Sequence, residues 1–232
     1  VHGDDRLTTI VVGKGKHRIN GDEYLEIPSA MNIVGDPRVP KSEIVVVGGI
    51  KFEEECGYQG GNCHLQHLTL RQAKMCGVNG SGVVLVVSFT MEDVLVEQCG
   101  YQGVYAKGSG VVGRCTNVEV RQCGASGVYA EKGASITMIG AKTTVHHNCT
   151  NGDSDEYGLA VWGSSSSTIQ LVSPLTKEQI SLDNGGGGNW GAENGGDINQ
   201  IKTIAAEVTS ANETKSNSSA PRDVLQTLPT FM

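Results

Sequence analysis

The feature that most constrains the fold of this chain is an internal repeat. The segment beginning at Cys99 runs Cys-Gly-Tyr-Gln-Gly-Val-Tyr-Ala, and the segment beginning at Cys123, 24 positions later, runs Cys-Gly-Ala-Ser-Gly-Val-Tyr-Ala. A short strand-like run ending in Gln precedes each copy, at 94–98 and 118–122. A unit of this length cannot bury its apolar residues alone, so neighbouring copies stack into a solenoid. We therefore predict stacked β-strands.

Three short strands joined by three turns account for one repeat. The first strand recurs at 68–72 and, more loosely, at 143–147. Because alternate residues of a strand face opposite sides of a sheet, the repeat predicts an inner row and an outer row. The inner row is predicted to be Val94, Val96, Val104, Ala106, Val118, Val120, Val128 and Ala130. The outer row is predicted to be Leu95, Glu97, Tyr105, Lys107, Glu119, Arg121, Tyr129 and Glu131.

These patterns predict one right-handed parallel β-helix of about seven rungs over residues 1–208, followed by a flexible, Ser- and Asn-rich tail over 209–232. The 32 glycines and the aromatic content of 5 % suit tight turns between short strands. The segment 183–197 is predicted to be a long Gly-rich loop. The segment 175–182 is predicted to be either a short helix or a last strand.

The repeat at 118–130 resembles the right-handed parallel β-helix proteins of the pectin-lyase-like superfamily, and in particular their carbohydrate-binding and sugar-hydrolysing modules. The run Ile-Val-Val-Gly-Lys-Gly at 10–15 looks like the usual first rung, and the resemblance covers about 8–205. It implies the fold strongly and a polysaccharide ligand weakly, because unrelated activities share this packing pattern. The motifs typical of polygalacturonases, alginate epimerases and pectate lyases are absent from the chain.

Composition excludes several classes of function. A net charge of −7 argues against nonspecific binding to nucleic acid, which needs a basic face. No apolar run approaches the roughly 18 residues of a membrane-spanning helix. The cysteines at one corner of the repeat are predicted to form a file of small buried thiols, which favours a reducing compartment and leaves no CxxC metal site. They are Cys56, Cys76, Cys99, Cys123 and Cys149.

Outward aromatic residues are the main candidates for ligand binding. Tyr105 and Tyr129 are expected to stack on consecutive rungs, and Trp162 lies two residues further along the same strand of the next rung. Flat aromatic side chains on a rigid sheet can pack against the apolar faces of sugar rings. The alternative is an aromatic ladder that only stiffens the sheet.

The insertion 151–157 is the largest departure from the repeat. Insertions in solenoids become loops on one face, often the binding face. Asp153, Asp155 and Glu156 are therefore candidate binding residues, and their carboxylates could accept Ca²⁺, although the spacing does not match a calcium loop. The alternative is an acidic, solvated loop. No other metal or cofactor is expected.

A row of alternating charge is the candidate for catalysis. Glu97, Arg121 and His146 follow Arg71 on the outer side of successive rungs. A lyase or epimerase could use Arg to neutralise a uronate, and Glu or His to move a proton. Cross-strand ion pairing explains the alternation equally well.

The sequence thus predicts a non-catalytic recognition or scaffold β-helix that binds a polysaccharide or a protein along one outer sheet. A divergent polysaccharide lyase, epimerase or hydrolase is the first alternative. A structural component of a larger assembly is the second.

Overall fold

Backbone pairing between successive rungs builds the whole molecule. The computed structural model describes residues 9–19, 24–53, 63–81, 88–163 and 166–206. These ranges contain 22 strands, numbered β1 to β22 in chain order, and every pairing between them is parallel. Three consecutive strands make one rung, so β1 to β21 make seven rungs and β22 follows them. The chain is a parallel β-helix with three strands per rung, as the repeat predicts.

Each rung contributes one strand to each of three sheets. Sheet A consists of β1 (Thr9–Val12), β4 (Met31–Gly35), β7 (Cys63–Gln66), β10 (Ser88–Glu92), β13 (Val112–Thr116), β16 (Ser135–Ile139), β19 (Thr168–Val172) and β22 (Ile201–Ile204). Sheet B consists of β2 (Gly15–Arg18), β5 (Ile44–Val47), β8 (Thr69–Arg71), β11 (Leu95–Glu97), β14 (Glu119–Arg121), β17 (Thr144–His146) and β20 (Ser181–Leu182). Sheet C consists of β3 (Tyr24–Ile27), β6 (Gly49–Phe52), β9 (Val78–Ser81), β12 (Val104–Lys107), β15 (Val128–Glu131), β18 (Tyr157–Trp162) and β21 (Gly188–Glu193).

Helical structure in the described ranges is short. The α-helix α1 spans Lys177–Ile180, and two 3₁₀ turns span Lys41–Glu43 and Ile198–Gln200. The helix α1 leads directly into β20, so the segment 175–182 contains both of the structures that its sequence allows.

The core is a stack of identical or similar side chains. Val96 pairs with Leu70 on one side and Val120 on the other, and Val104 pairs with Val128. All eight residues of the predicted inner row are fully buried. Each rung therefore removes the apolar face of its neighbour from water, at about 25 cal/mol per Å² of apolar surface.

Glycine is required where sheet B turns into sheet C. A Cβ atom on Gly103 would lie 2.3 Å from Cγ1 of Val120 and 2.7 Å from the carbonyl oxygen of Gly127. Gly127 has the same relation to Val145 one rung later, at 2.5 Å. The glycine that precedes β9, β12 and β15 thus lets one rung lie flat on the next.

The predicted file of buried thiols is confirmed at four of its five positions. The four are buried and free, namely Cys76, Cys99, Cys123 and Cys149. Cys115 is also free and buried, whereas Cys63 is disulfide-bonded. Cys63 does not belong to the predicted file, and Cys56 lies outside the described residues.

The prediction of a loop over 183–197 is wrong in part. β21 lies within this segment and pairs with β18, so that Trp190 is opposite Leu159 and Glu193 is opposite Trp162. A preceding strand with free hydrogen-bonding groups offers a partner even to a Gly-rich sequence. The predicted tail at 209–232 lies outside the described residues.

Several residues of the predicted outer row are covered. Glu97 is only 2 % exposed and Tyr129 only 8 %. Both lie on the outside of the coil, but side chains of neighbouring rungs and loops lie over them. The outer faces of sheets B and C are therefore not uniformly solvated surfaces.

Substitution of Gly103 by Ala tests the requirement for close rung contact. We expect Gly103→Ala to lower the free energy of unfolding by about 1–3 kcal/mol, because the new methyl group overlaps Val120 and a backbone oxygen. Urea denaturation would measure the change. Gly13→Ala is the matched control, since its Cβ would have no atom within 4 Å. Equal stability of the two variants would contradict the close stacking.

Candidate functional site

A cleft opens on the outer face of sheet C over two stacked tyrosines. Tyr105 and Tyr129 are register partners on β12 and β15, with ring centroids 5.7 Å apart and planes inclined by 40°. The cleft has a volume of about 500 Å³, within the range of small-molecule sites. We call it the tyrosine cleft. Its aromatic lining is Tyr24, Tyr101, Tyr105, Tyr129 and Trp162.

The register of sheet C explains why the cleft forms here. One outer row runs from Asn79 through Tyr105 and Tyr129 to Ala160. The next outer row runs from Lys107 through Glu131 and Trp162 to Glu193. The predicted relation of Trp162 to the two tyrosines is therefore confirmed.

Four carboxylates line the cleft, and they come from three places in the chain. Glu131 ends β15, Asp155 and Glu156 belong to the insertion before β18, and Glu193 ends β21. Two of the predicted acidic residues, Asp155 and Glu156, thus lie beside the tyrosines. Asp153 is exposed and does not line the cleft.

Glu131 and Glu156 are held by hydrogen bonds. Oε2 of Glu131 accepts from the Tyr105 hydroxyl at 2.6 Å, and Oε1 lies 3.4 Å from Nζ of Lys107 and 3.5 Å from Nζ of Lys132. Oε2 of Glu156 accepts from the backbone nitrogen of Ser126 at 2.8 Å and from the Ser126 hydroxyl. These contacts orient both carboxylates before any ligand binds.

Glu193 lacks a hydrogen bond at one of its carboxylate oxygens. Its Oε1 atom is buried and has no hydrogen-bond partner among the described residues. Burial, followed by the negative charges of Glu156, Asp155 and Glu131, raises the pKa of Glu193 from 4.5 to about 7. Near neutral pH this carboxyl is therefore divided between its protonated and ionised forms, as a general acid would be.

The phenols of the cleft remain protonated at physiological pH. Burial is the main cause that raises the pKa of Tyr105, and its hydrogen bond to Glu131 adds to the effect. Burial and the charge of Glu193 raise the pKa of Tyr129. At one end of the cleft, burial raises the pKa of Tyr24 to about 12, and its hydroxyl oxygen accepts from the backbone nitrogen of Cys76 at 3.2 Å.

The predicted catalytic residues lie on another face, the outer side of sheet B. The Nε atom of Arg71 donates to Oε1 of Glu97 at 2.5 Å, and the Nε and Nη2 atoms of Arg121 donate to Oε2 at 2.9 and 2.8 Å. Both carboxylate oxygens of Glu97 are thus occupied by guanidinium groups.

The structure separates the third predicted catalytic residue from the first. Nε2 of His146 lies 3.3 Å from Oε1 of Glu119, which also accepts from Nη1 of Arg121 at 3.0 Å. His146 therefore faces Glu119, two rungs from β11 and Glu97. The row forms a continuous ladder of opposite charges, which agrees with ion pairing and does not test a catalytic role.

Tyr101, Glu131 and Glu193 are among the lining residues that sequence analysis missed. Tyr101, 47 % exposed at the rim, lies in a turn of the repeat. Glu131 could have been found, because it aligns one rung before Trp162. Glu193 could not, because its position depends on β21, which sequence analysis took for a loop.

No group of three or more His, Cys, Asp or Glu residues is arranged to hold a metal ion within the ranges described above. The calcium site expected around Asp153, Asp155 and Glu156 stays a prediction. Over the same part of the chain, no helix has both the length and the apolar character needed to cross a membrane.

No protein-family model, curated protein or solved structure matches this chain. The chemistry of the tyrosine cleft is therefore argued from its own geometry. It combines two tyrosine rings inclined by 40° to each other, oriented hydrogen-bond acceptors and a carboxyl that titrates near neutral pH.

Replacement of Glu193 by Gln tests whether the ionised carboxylate of Glu193 destabilises the fold. The raised pKa means that the folded state binds the proton more tightly than the unfolded state does, so stability falls as pH rises from about 4.5 to about 7. Glu193→Gln removes this loss. We expect the variant to gain on the order of 1 kcal/mol at pH 8, after allowance for solvent screening, and almost nothing at pH 4.5.

Thermal unfolding at the two pH values would measure the effect as a rise of about 2–4 °C at pH 8. Glu92→Gln, which changes an exposed carboxylate on sheet A, is the matched control and should show no such rise. A Glu193→Gln variant that is less stable than the wild type at pH 8 would contradict this destabilisation.

Proposed function

We propose that this protein is a carbohydrate-recognition β-helix that binds a segment of a polysaccharide in the tyrosine cleft. The observation that carries the proposal is the stacked pair Tyr105 and Tyr129 within a cleft of about 500 Å³. A pyranose ring has an apolar C–H face that packs on an aromatic ring and a polar edge that needs hydrogen-bond partners. The cleft supplies both kinds of contact.

Preorganisation supports this proposal. The rings of Tyr105 and Tyr129 are held on paired strands, and the Tyr105 hydroxyl is fixed by its hydrogen bond to Glu131. Side chains that are already ordered lose little entropy when a ligand binds. A sugar would therefore meet a surface that needs no rearrangement.

The length of the cleft also suits a short stretch of polymer. Its lining residues extend over the strands from β9, with Asn79, to β21, with Glu193. With about 4.8 Å between neighbouring strands, this is about 19 Å along the solenoid. Several consecutive sugar units fit this distance better than one does.

Membership of the pectin-lyase-like superfamily is part of the same proposal. The repeat and the three-sheet coil support it, and carbohydrate ligands are common in that superfamily. The charged side chains that line the cleft are negative, whereas a uronate polymer requires positive ones.

Catalysis is the alternative that the cleft favours. Glu193 is part protonated near neutral pH, and Glu131 lies two strands away on the same outer row, about 9–10 Å between Cα atoms. Inverting glycosidases use two carboxyl groups, one as general acid and one as general base, set apart to leave room for a water molecule. Glu97 is a weaker candidate, because two arginines occupy its oxygens.

Truncation of the exposed rim residue tests the binding site. We expect Tyr101→Ala to weaken binding of its best oligosaccharide at least threefold, because the substitution removes an aromatic contact at the cleft's rim. Isothermal titration with neutral, acidic and amino-sugar oligosaccharides would measure it. Leu182→Ala, at an equally exposed apolar residue on sheet B, should leave the affinity unchanged.

Absence of binding across all three classes of oligosaccharide would overturn the proposal, as would equal loss in the two variants. Reducing ends that accumulate during the titration would show that the cleft cleaves its ligand as well as binding it.

A further inference from the structure

The charge of the tyrosine cleft restricts the ligand it can accept. Its described lining carries four carboxylates and no Lys or Arg side chain. Lys107 and Lys132 lie outside the lining. Both contact Oε1 of Glu131, and Nζ of Lys132 also lies 5.9 Å from the centroid of the Trp162 ring. The lining near Asp155, Glu156 and Glu193 carries no positive side chain of its own among the described residues.

Unpartnered acceptors lie in the same cleft. Three buried side-chain polar atoms of the described chain lack a hydrogen-bond partner, and two of them belong to cleft residues. These are Oε1 of Glu193 and Oδ1 of Asn79, and both are acceptors. A buried acceptor without a partner is unfavourable, and a ligand that donates hydrogen bonds would remove that cost.

The two observations exclude the ligand that the family resemblance suggests. A uronate would bring a further carboxylate next to Glu193, where three neighbouring carboxylates already raise the pKa. The arginines that could neutralise a uronate lie on sheet B and are paired with Glu97. Like charges in a partly desolvated cleft repel each other.

We propose that the tyrosine cleft selects a cationic amino-sugar polymer, with the ammonium group of one ring donating to Glu193 while the ring packs on Tyr105 and Tyr129. This inference rests on the proposed carbohydrate-binding function and specifies its ligand. A linear polyamine would satisfy the carboxylates and leave the tyrosine rings uncovered. An amino sugar contacts both.

Binding couples directly to the titration of Glu193. The groups that face it are Asp155, Glu156 and Glu131, all acidic, together with the phenol of Tyr129. An ammonium group would stabilise the ionised form of Glu193 and so lower its pKa. Complex formation near pH 7 should therefore release a fraction of a proton from the protein.

The decisive experiment compares three hexasaccharides by titration calorimetry at pH 7 and low salt: fully deacetylated glucosamine, its N-acetylated form and galacturonate. We expect the deacetylated form to bind at least tenfold more tightly than the N-acetylated form, a difference of about 1.4 kcal/mol. Galacturonate should bind more weakly than either. The preference should shrink as salt increases, because salt screens the partly exposed charges.

Glu193→Gln isolates the carboxylate. The variant should bind the two glucosamine oligomers within about twofold of each other. Glu92→Gln should keep the tenfold preference. Because Glu193→Gln is expected to be at least as stable as the wild type at neutral pH, a loss of the preference reflects binding and not unfolding.

The outcomes separate this inference from the function on which it rests. Equal binding of both glucosamine oligomers, with Tyr101→Ala weakening both, would overturn the amino-sugar inference and leave carbohydrate binding intact. Tighter binding of galacturonate, or an undiminished preference in Glu193→Gln, would also overturn it. Failure of every hexasaccharide to bind would remove the proposed function itself.

Discussion

Parallel in-register stacking of rungs is the constraint on which the rest of this structure depends. The backbone of each rung hydrogen-bonds to the next, so that Val96 lies beside Val120 and Tyr105 beside Tyr129. Inside the coil this arrangement suits the apolar residues, because identical side chains bury each other. Outside the coil it forces side chains of the same type into contact, and their charge decides whether the contact stabilises the fold.

The outer faces of sheets B and C meet this constraint in opposite ways. On sheet B the rungs alternate in charge, and Glu97 lies between Arg71 and Arg121 with both oxygens satisfied. On sheet C the carboxylates gather without a matching set of cations, and Glu193 keeps an unpartnered buried oxygen. The ion-paired row on sheet B is explained by stability alone. An unsatisfied cluster in an aromatic cleft is better explained by a ligand that is cationic and rich in hydrogen-bond donors.

The repeat predicts the fold and part of the site, because both follow from the register in which successive rungs pair. Once Tyr105 and Tyr129 are aligned, the position of Trp162 follows from the same period, and the structure confirms it. The insertion carrying Asp155 and Glu156 is also found at the cleft. These residues are adjacent in space because they occupy equivalent or neighbouring positions of successive rungs.

The remaining site residues depend on contacts that no local pattern records. Glu193 reaches the cleft only because β18 pairs with a Gly-rich segment whose own propensity favours a loop. The burial of Glu97 depends on two arginines from other rungs. Charge alternation in the sequence could suggest these ion pairs, but it could not show how deeply Glu97 is buried. Tertiary pairing thus overrides local preference at the points where sequence analysis was incomplete.

Proton–proton contacts between valine methyl groups test the in-register stack most directly. Stereospecific methyl labelling and nuclear Overhauser spectroscopy should detect Val96 against Val120 and Val104 against Val128, since neighbouring strands are about 4.8 Å apart. Strong cross-peaks for both pairs are the predicted result. A folded protein that lacks both, or that places Val96 against residues outside the neighbouring rungs, would contradict the stack and with it the tyrosine cleft.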